Sequence, residues 1–392
     1  MSRPVPELLA HGQALIAAGL PEAVETLLQP ELGKGTGPIL LWKLLALAFR
    51  RQGKFAAARR VQEMIVETLP GDLPARYDFA DTLLTLGEFE RGWQEYQYRY
   101  HLPHTKAIAR HIQRPRWTGV PIPGRTLLIH DEQGYGDTFQ FVRLIRAARE
   151  RSQAQVILEV NSEAFPLVQR SYPDFPVTKR GTLPPPFDHH CELMSLPAAL
   201  GLRLEDLPGE IPYLLPDPAR IAHWQNRLRA LPRPWIALTW AGRPAHPNDA
   251  NRSTRLDTFA PLAPCRATFL SIQKGPAENQ PAPPGMSLTR LSPEIRDFED
   301  TAAILMLTDL LISIDSSPVH LAGALGRPAW VLLPFEPEWR WMAERQDTPW
   351  YPAHRLFRQR RPGDWAELLE RVARALETDV PAYSEPLKTN VF

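Results

Sequence analysis

The stretch DEQGYGDTFQF at 131–141 sets one carboxylate, Asp137, directly behind the glycine pair Gly134 and Gly136 and ahead of a segment with helical spacing. A carboxylate at a strand-to-helix junction has two uses. As an N-cap for a helix opening at Thr138 it contributes about 1 kcal/mol. As a general base it removes a proton from a bound hydroxyl, which is worth about 10²- to 10⁴-fold in rate.

A second constellation, SIDSSPVHLAGALGRP (313–328), follows an apolar run with Asp315, then Ser316 and Ser317 as cap candidates, Pro318, and His320 within the first helical turn. Free amides and the helix dipole at such a start suit a diphosphate. The plain alternative is an ordinary capped helix. Lys274, in LSIQKGPAE, stands behind a strand end, where an ammonium either neutralises phosphate or solvates a surface. The stretch LTWAGRPAHPNDANRSTRL (238–256) leaves a strand through Trp240 and Gly242 into a long polar loop holding Arg243, His246, Asp249, Arg252 and Arg255. Long irregular loops in compact domains are more often functional than decorative.

Several chemistries are excluded by pattern. GxxxxGK[ST], GxSxG and HExxH are absent, and GYGDTF lacks the last glycine of GxGxxG and an acidic partner on the next strand. Asp315 and His320 are five residues apart without a third ligand, so no metal is expected there. Cys191 and Cys265 have neither disulfide nor zinc spacing, which suits a reducing cytoplasm. With 45 Lys+Arg against 44 Asp+Glu, no field draws nucleic acid or an anionic membrane. The apolar run TAAILMLTDLLISI (301–314) is short and carries Asp309, so no membrane span is expected, and the first twenty residues lack a signal-peptide pattern.

The elements that must position these residues fall into three parts. Gly19, Gly53 and Gly87 stand 34 residues apart, and Phe55 and Phe89 keep that interval. The unit LLWKLLALAFRRQGKFAAARRVQEMIVETLP has the tetratricopeptide pattern of paired helices turning at glycine. Three such units are few for a free-standing solenoid, so they should pack on the next part, with WQEYQYRYHLP (93–103) as contact surface or as final repeat helix. Strands then alternate with helices, which implies parallel sheets. RTLLIHD, an amphipathic helix TFQFVRLIRAARERS, AQVILEV and EAFPLVQRSY form a first half. Helix 218–230, WIALTWAG, ATFLSIQKG, helix 299–308, LLISIDS, helix 317–325, AWVLLP and DWAELLERVARALE form a second. The expected boundaries are 1–104 for the repeats, 105–123 for a linker, 124–216 and 217–355 for two Rossmann-like domains, and 356–392 for a terminal helix and tail.

The ordered blocks EQGYGDTFQF, PPPFDHHCELMSLPAALG, IPYLLPDP, LTWAGRPAHPNDANRS, SIQKGP, DFEDTAAILMLTDLLISIDSSPVHLAGALGRP and WRWMAERQDTPWYPAHRLFRQ together resemble the bacterial tetratricopeptide-repeat glycosyltransferases. Their catalytic part is similar to the ADP-heptose lipopolysaccharide heptosyltransferases. The resemblance covers about residues 40–376. It implies an α/β fold of GT-B type, two Rossmann-like parallel-sheet domains behind an all-α repeat segment, with the C-terminal helix crossing back to the first domain. Gly136-Asp137 matches the family's Gly-Asp loop, whose Asp is the proposed base, although Tyr135 stands where leucine is usual. Asp315, Ser316, Ser317 and His320 match its phosphate-binding turn, with Ser317 in place of glycine. Lys274 matches a phosphate-contacting lysine, and Glu299 or Asp300 occupies the region of the ribose-holding acid. Gly134, Gly136, Trp240, Gly242 and Arg252 fall in the matching donor-side blocks.

The implied activity is inverting sugar transfer from a nucleotide-sugar, a substrate and not a cofactor, with no metal. The repeats suggest a protein or peptide acceptor, as in flagellin-modifying enzymes. A lipid or lipopolysaccharide acceptor and a non-catalytic repeat adaptor are the alternatives.

Overall fold

The computed structural model describes residues 3–33, 35–102, 110, 112–207 and 210–383. Residues 105–109 and 111 of the expected linker, Pro103 of the aromatic run and the tail 384–392 lie outside that range. The chain divides into two compact units: residues 1–111, 197–207 and 336–345 form one, and 112–196, 208–335 and 346–392 the other.

The first unit is built on helix pairs: α1 (Val5–Ala17) with α2 (Pro21–Leu32), α3 (Ile39–Arg51) with α4 (Phe55–Thr68), and α5 (Leu73–Thr85) with α6 (Phe89–Tyr96). Gly19, Gly53 and Gly87 carry φ of +72°, +72° and +82° at the turns between partners, which only glycine adopts cheaply. That requirement explains their regular spacing. The aromatic run proves to be α6 and a 3-10 turn, Gln97–His101. Trp93 stacks edge-on against Trp339 at 5.0 Å, an arrangement worth about 0.5–1.5 kcal/mol beyond area burial. Arg51 Nη1 reaches Glu336 Oε2 at 2.9 Å, and the Ala343 N–H donates to the Thr85 carbonyl at 3.2 Å. The last repeat thus buries its open face under the 336–345 segment.

In the second unit the chain runs through β1 (Thr126–His130), α7 (Tyr135–Phe141), α8 (Ile145–Ser152), β2 (Gln155–Val160), α9 (Phe165–Ser171), β3 (Val177–Lys179) and β4 (His189–Glu192) before α10 (Leu196–Leu200). The four strands are parallel in the order β3-β2-β1-β4. The helix expected from Thr138 onward starts at Tyr135 and breaks at a 3-10 turn, Val142–Leu144, where buried Arg143 donates to the Trp350 carbonyl at 3.0 Å.

The second half comprises α11 (Pro218–Leu228), β5 (Trp235–Thr239), α12 (Asp249–Arg252), β6 (Thr268–Ser271), β7 (Leu288–Arg290), α13 (Phe298–Leu307), β8 (Leu310–Ile314), α14 (Ser317–Ala324), β9 (Ala329–Leu333), β10 (His354–Arg358) and α15 (Trp365–Tyr383). Its parallel sheet runs β10-β9-β8-β5-β6-β7. Counted from β5, this is the doubly wound 3-2-1-4-5-6 order, whose direction reverses between β5 and β8. A ligand crevice is therefore expected beyond the carboxyl ends of those two strands. Leu368, Leu369, Val372 and Leu376 of α15 join the core of the same sheet, so the terminal helix packs on the second half and does not depend on the first for its apolar face.

Candidate active site

Asp137 is inside the first turn of α7, not ahead of it. Gly134 occupies the cap position, and its N–H donates to Asp137 Oδ2 at 2.8 Å, so the side chain reaches back over the turn. The capping and base readings are thus carried by one half-buried carboxylate. Helix α7 also presses on the second half. The Tyr135 and Phe139 rings lie 4.7 and 4.8 Å from Phe298 at the start of α13. A Cβ on Gly136 would sit 2.7 Å from His320 Cδ2, which only glycine avoids.

Across that contact stands the β5–β8 switch point. Ser316 is the cap residue of α14, yet its hydroxyl caps no helix amide. It bonds to the Ile314 carbonyl at 3.3 Å and to Ser313 Oγ at 3.1 Å, and Ser313 in turn meets Thr239. Pro318 has no N–H, and the Val319 N–H turns back to the Ser316 carbonyl at 3.0 Å. Ser316 thus gives the start of α14 no side-chain cap.

Arg252 supplies the cation at this mouth. Its Nη1 donates to the Asp315 carbonyl at 3.2 Å, while its buried Nε has no hydrogen-bond partner, Asp249 Oδ1 being 3.6 Å away. Gly242 makes room for this side chain, since a Cβ there would lie 2.7 Å from Arg252 Nη2. Gln273, buried and not singled out by sequence, locks the loop by accepting the Trp240 and Ala241 N–H groups at 2.9 Å each.

His320 fixes the back of the site. Its Nδ1 is 3.0 Å from Tyr351 Oη, and its Nε2 is 3.8 Å from Asp315 Oδ1. Tyr351 was not foreseen, because only the fold brings position 351 to 320. From the 243–248 loop, His246 senses groups of both halves. Partial burial and the Arg252 charge push its pKa down against the pull of Asp315 and Asp137. Its Nδ1 accepts the Asn248 N–H at 3.2 Å. Burial, reinforced by Glu163, pushes the Tyr135 hydroxyl up to about 12.

Lys274, Asp300, Glu299 and Trp240 have these partners within the protein. Lys274 donates to the Ser292 and Ile295 carbonyls at 2.7 and 3.1 Å, so its ammonium ties down the loop after β7. Asp300 is buried and full: Oδ1 accepts from Arg220 at 2.6 Å and Trp224 Nε1 at 3.0 Å, and Oδ2 from the Arg296 N–H at 2.9 Å. Burial alone would raise its pKa, but those donors hold it below the usual value. Glu299 accepts from Arg170 at 3.2 Å and the Asp217 N–H at 3.0 Å. Both acids are thus held by protein donors. Trp240 turns its indole into the core beside Phe259, and its backbone N–H and carbonyl are bonded to Gln273 and to the Thr254 N–H.

No known family profile matches the sequence. The chain is 29% identical over 328 residues to Protein FlbA of Caulobacter vibrioides, covering 76% of this chain and 54% of FlbA. It therefore spans about half the length of that curated relative. Among solved structures it is similar to Escherichia coli ADP-heptose LPS heptosyltransferase II, at 15% identity and TM-score 0.47 over 65% of this chain and 99% of that one. The glycosyl transferase family 9 structure from Veillonella parvula gives 10% identity and TM-score 0.46 over 68% and 99%. An O-GlcNAc transferase mutant from Thermobaculum terrenum aligns over 98% of this chain and 95% of its own, at 15% identity and TM-score 0.29. Two parallel-sheet halves that follow an all-α segment along the chain make the α/β class that the sequence points to. Among the described residues no helix is long and apolar enough to cross a membrane.

Proposed function

We propose that this chain is a glycosyltransferase that moves a sugar from a nucleotide-sugar to an acceptor hydroxyl with inversion. Asp137 takes the hydroxyl proton as the acceptor oxygen attacks the anomeric carbon. The bond from that carbon to the donor's phosphate oxygen breaks, and its electron pair leaves with the nucleotide. Arg252 and the uncapped start of α14 stabilise the departing phosphate, so no metal is required at that point. The observation that carries this reading is the Gly136–His320 contact, which sets the Asp137 turn of one half against the phosphate-type turn of the other.

The acceptor we propose is a protein segment in the cytoplasm, of the flagellin-modification kind. A groove of about 310 Å³ in the repeat unit supports it, lined by Lys43, Arg50, Gln62, Tyr77, Asp78 and Asp81. Ala46, Leu47, Ile65 and Ala75 line it as well, and this mixture of charges of both signs, one aromatic ring and apolar side chains suits a peptide.

A thermal-shift panel of UDP, GDP, ADP, CMP and TDP, followed by mass spectrometry of acceptor mixtures with the stabilising nucleotide's sugar, tests the proposal. A donor that binds only the native state must raise the midpoint. If no nucleotide moves it at millimolar concentration, the transferase reading falls.

A further inference from the structure

The carboxyl edge of the first sheet holds a cluster that the transfer mechanism does not use. Strands β1 and β4 pair in parallel with Leu128 opposite His190 and His130 opposite Glu192. Alternation along a strand places residues two apart on one face, so His130, His190 and Glu192 share a face while Cys191 points to the other. All three are buried, at 1%, 5% and 4% exposure. One donor atom from each lies within 4.8 Å of the others, the one such group among the described residues.

The detailed geometry suits ligation of an ion. His130 Nε2 and His190 Nδ1 face each other at 3.3 Å. Two nitrogens bound to one tetrahedral ion at 2.0–2.1 Å stand about 3.4 Å apart. The other nitrogen of His130 lies 3.3 Å from the Asp131 carbonyl, the outer hydrogen bond that fixes a ligating imidazole with its lone pair inward. Glu192 is oriented in the same manner, by Arg116 Nη2 at 2.5 Å and Ser195 Oγ at 3.2 Å. A second buried carboxylate, Glu159 of β2, is the register partner of His130 on its other side.

We propose that His130 Nε2, His190 Nδ1 and the Glu192 carboxylate bind one divalent transition ion, zinc being the best match to two nitrogens and one oxygen, with a fourth position open to an oxygen ligand. The site lies where β1 and β4 end, at the switch point of the first sheet, and is separate from the donor-phosphate turn of the second. It stands whether or not the chain transfers sugar, and it departs from the expectation of a metal-free protein.

The test uses the full chain after chelator treatment and desalting, titrated with Zn²⁺ alone by calorimetry, with elemental analysis of the product. The expected result is one equivalent bound at micromolar affinity or tighter. His130→Gln, His190→Gln and Glu192→Gln should each weaken it at least a hundredfold, and Ser195→Ala, a milder change, by about tenfold through the outer hydrogen bond. Co²⁺ substitution should give a tetrahedral ligand-field spectrum without a thiolate charge-transfer band. Absence of saturable Zn²⁺ uptake by the wild type overturns the site without recourse to any variant. Uptake unchanged in the His130→Gln and His190→Gln proteins overturns it as well, and a thiolate band would place the ion on cysteine.

Discussion

Gly136 stands so close to His320 that a methyl group added to it would meet the imidazole Cδ2 at 2.7 Å. His320 has little freedom to retreat, since Tyr351 holds its Nδ1 at 3.0 Å. Gly136→Ala should therefore cost about 1–3 kcal/mol as an overpacked contact, less up to about 1 kcal/mol regained from helix propensity. Urea unfolding reads the loss. Adding His320→Ala should restore part of it, and a cycle with no coupling between the two positions would show that the helices do not meet there.

Asp137→Asn separates the two roles of the carboxylate. An amide oxygen still accepts the Gly134 N–H, so stability should change by no more than about 1 kcal/mol. Nucleotide affinity should be unaltered while turnover falls about 10²- to 10⁴-fold. Near-normal turnover in this variant would remove Asp137 from the mechanism.

Arg252 has a buried Nε without a hydrogen-bond partner, 3.6 Å from Asp249 Oδ1, and an Nη1 on the Asp315 carbonyl. If a phosphate completes its contacts, Arg252→Ala loses a charged hydrogen bond worth about 1.5–3 kcal/mol, at least a tenfold rise in the dissociation constant of the nucleotide diphosphate. Arg252→Lys should recover only part of this, because an ammonium cannot reproduce the planar fork. Equal affinities by calorimetry in all three proteins would put the anion elsewhere.

Asp300 is predicted to matter for folding. Removing it in Asp300→Ala strips Trp224 Nε1 and the Arg296 N–H of their acceptor at once and leaves Arg220 with Asp297 at 3.4 Å. A loss of about 3–5 kcal/mol is expected in chemical denaturation, with nucleotide affinity of the folded fraction unchanged. A stable variant with weakened donor binding would instead return this residue to the ribose.

The contrast between Asp137 and Asp300 shows what was legible in the sequence. Turn chemistry is local: glycine before an acid at a strand end, or Asp-Ser-Ser-Pro before an apolar helix, identifies a junction from a few neighbouring residues. Whether a charge is already spent depends on partners far along the chain, such as Arg220 for Asp300 and the Ser292 carbonyl for Lys274, and no short pattern reveals them. The same division holds for the fold. Repeat turns and the apolar strands β1, β2, β5, β6, β8 and β9 announce themselves through glycine spacing and burial runs. Strand β4 does not, because His189-His190-Cys191-Glu192 is polar where a buried strand is ordinarily apolar. Strands β3 and β7 are three residues each, too short for periodicity.

His354 offers a pH test of the second half. It is fully buried at the start of β10, and burial, with the nearby His320, pushes its pKa down to about 3. A histidine with a depressed folded pKa stays neutral in the native state while the unfolded chain takes up a proton near its ordinary value of about 6.5. Its contribution is therefore intact above that value and drains away as the pH falls toward 3, by up to about 1.4 kcal/mol per unit. His354→Leu cannot bind that proton in either state. The wild type should lose stability faster than His354→Leu between pH 6.5 and pH 4, and parallel curves in urea titrations across that interval would show that this imidazole is not buried in its neutral form.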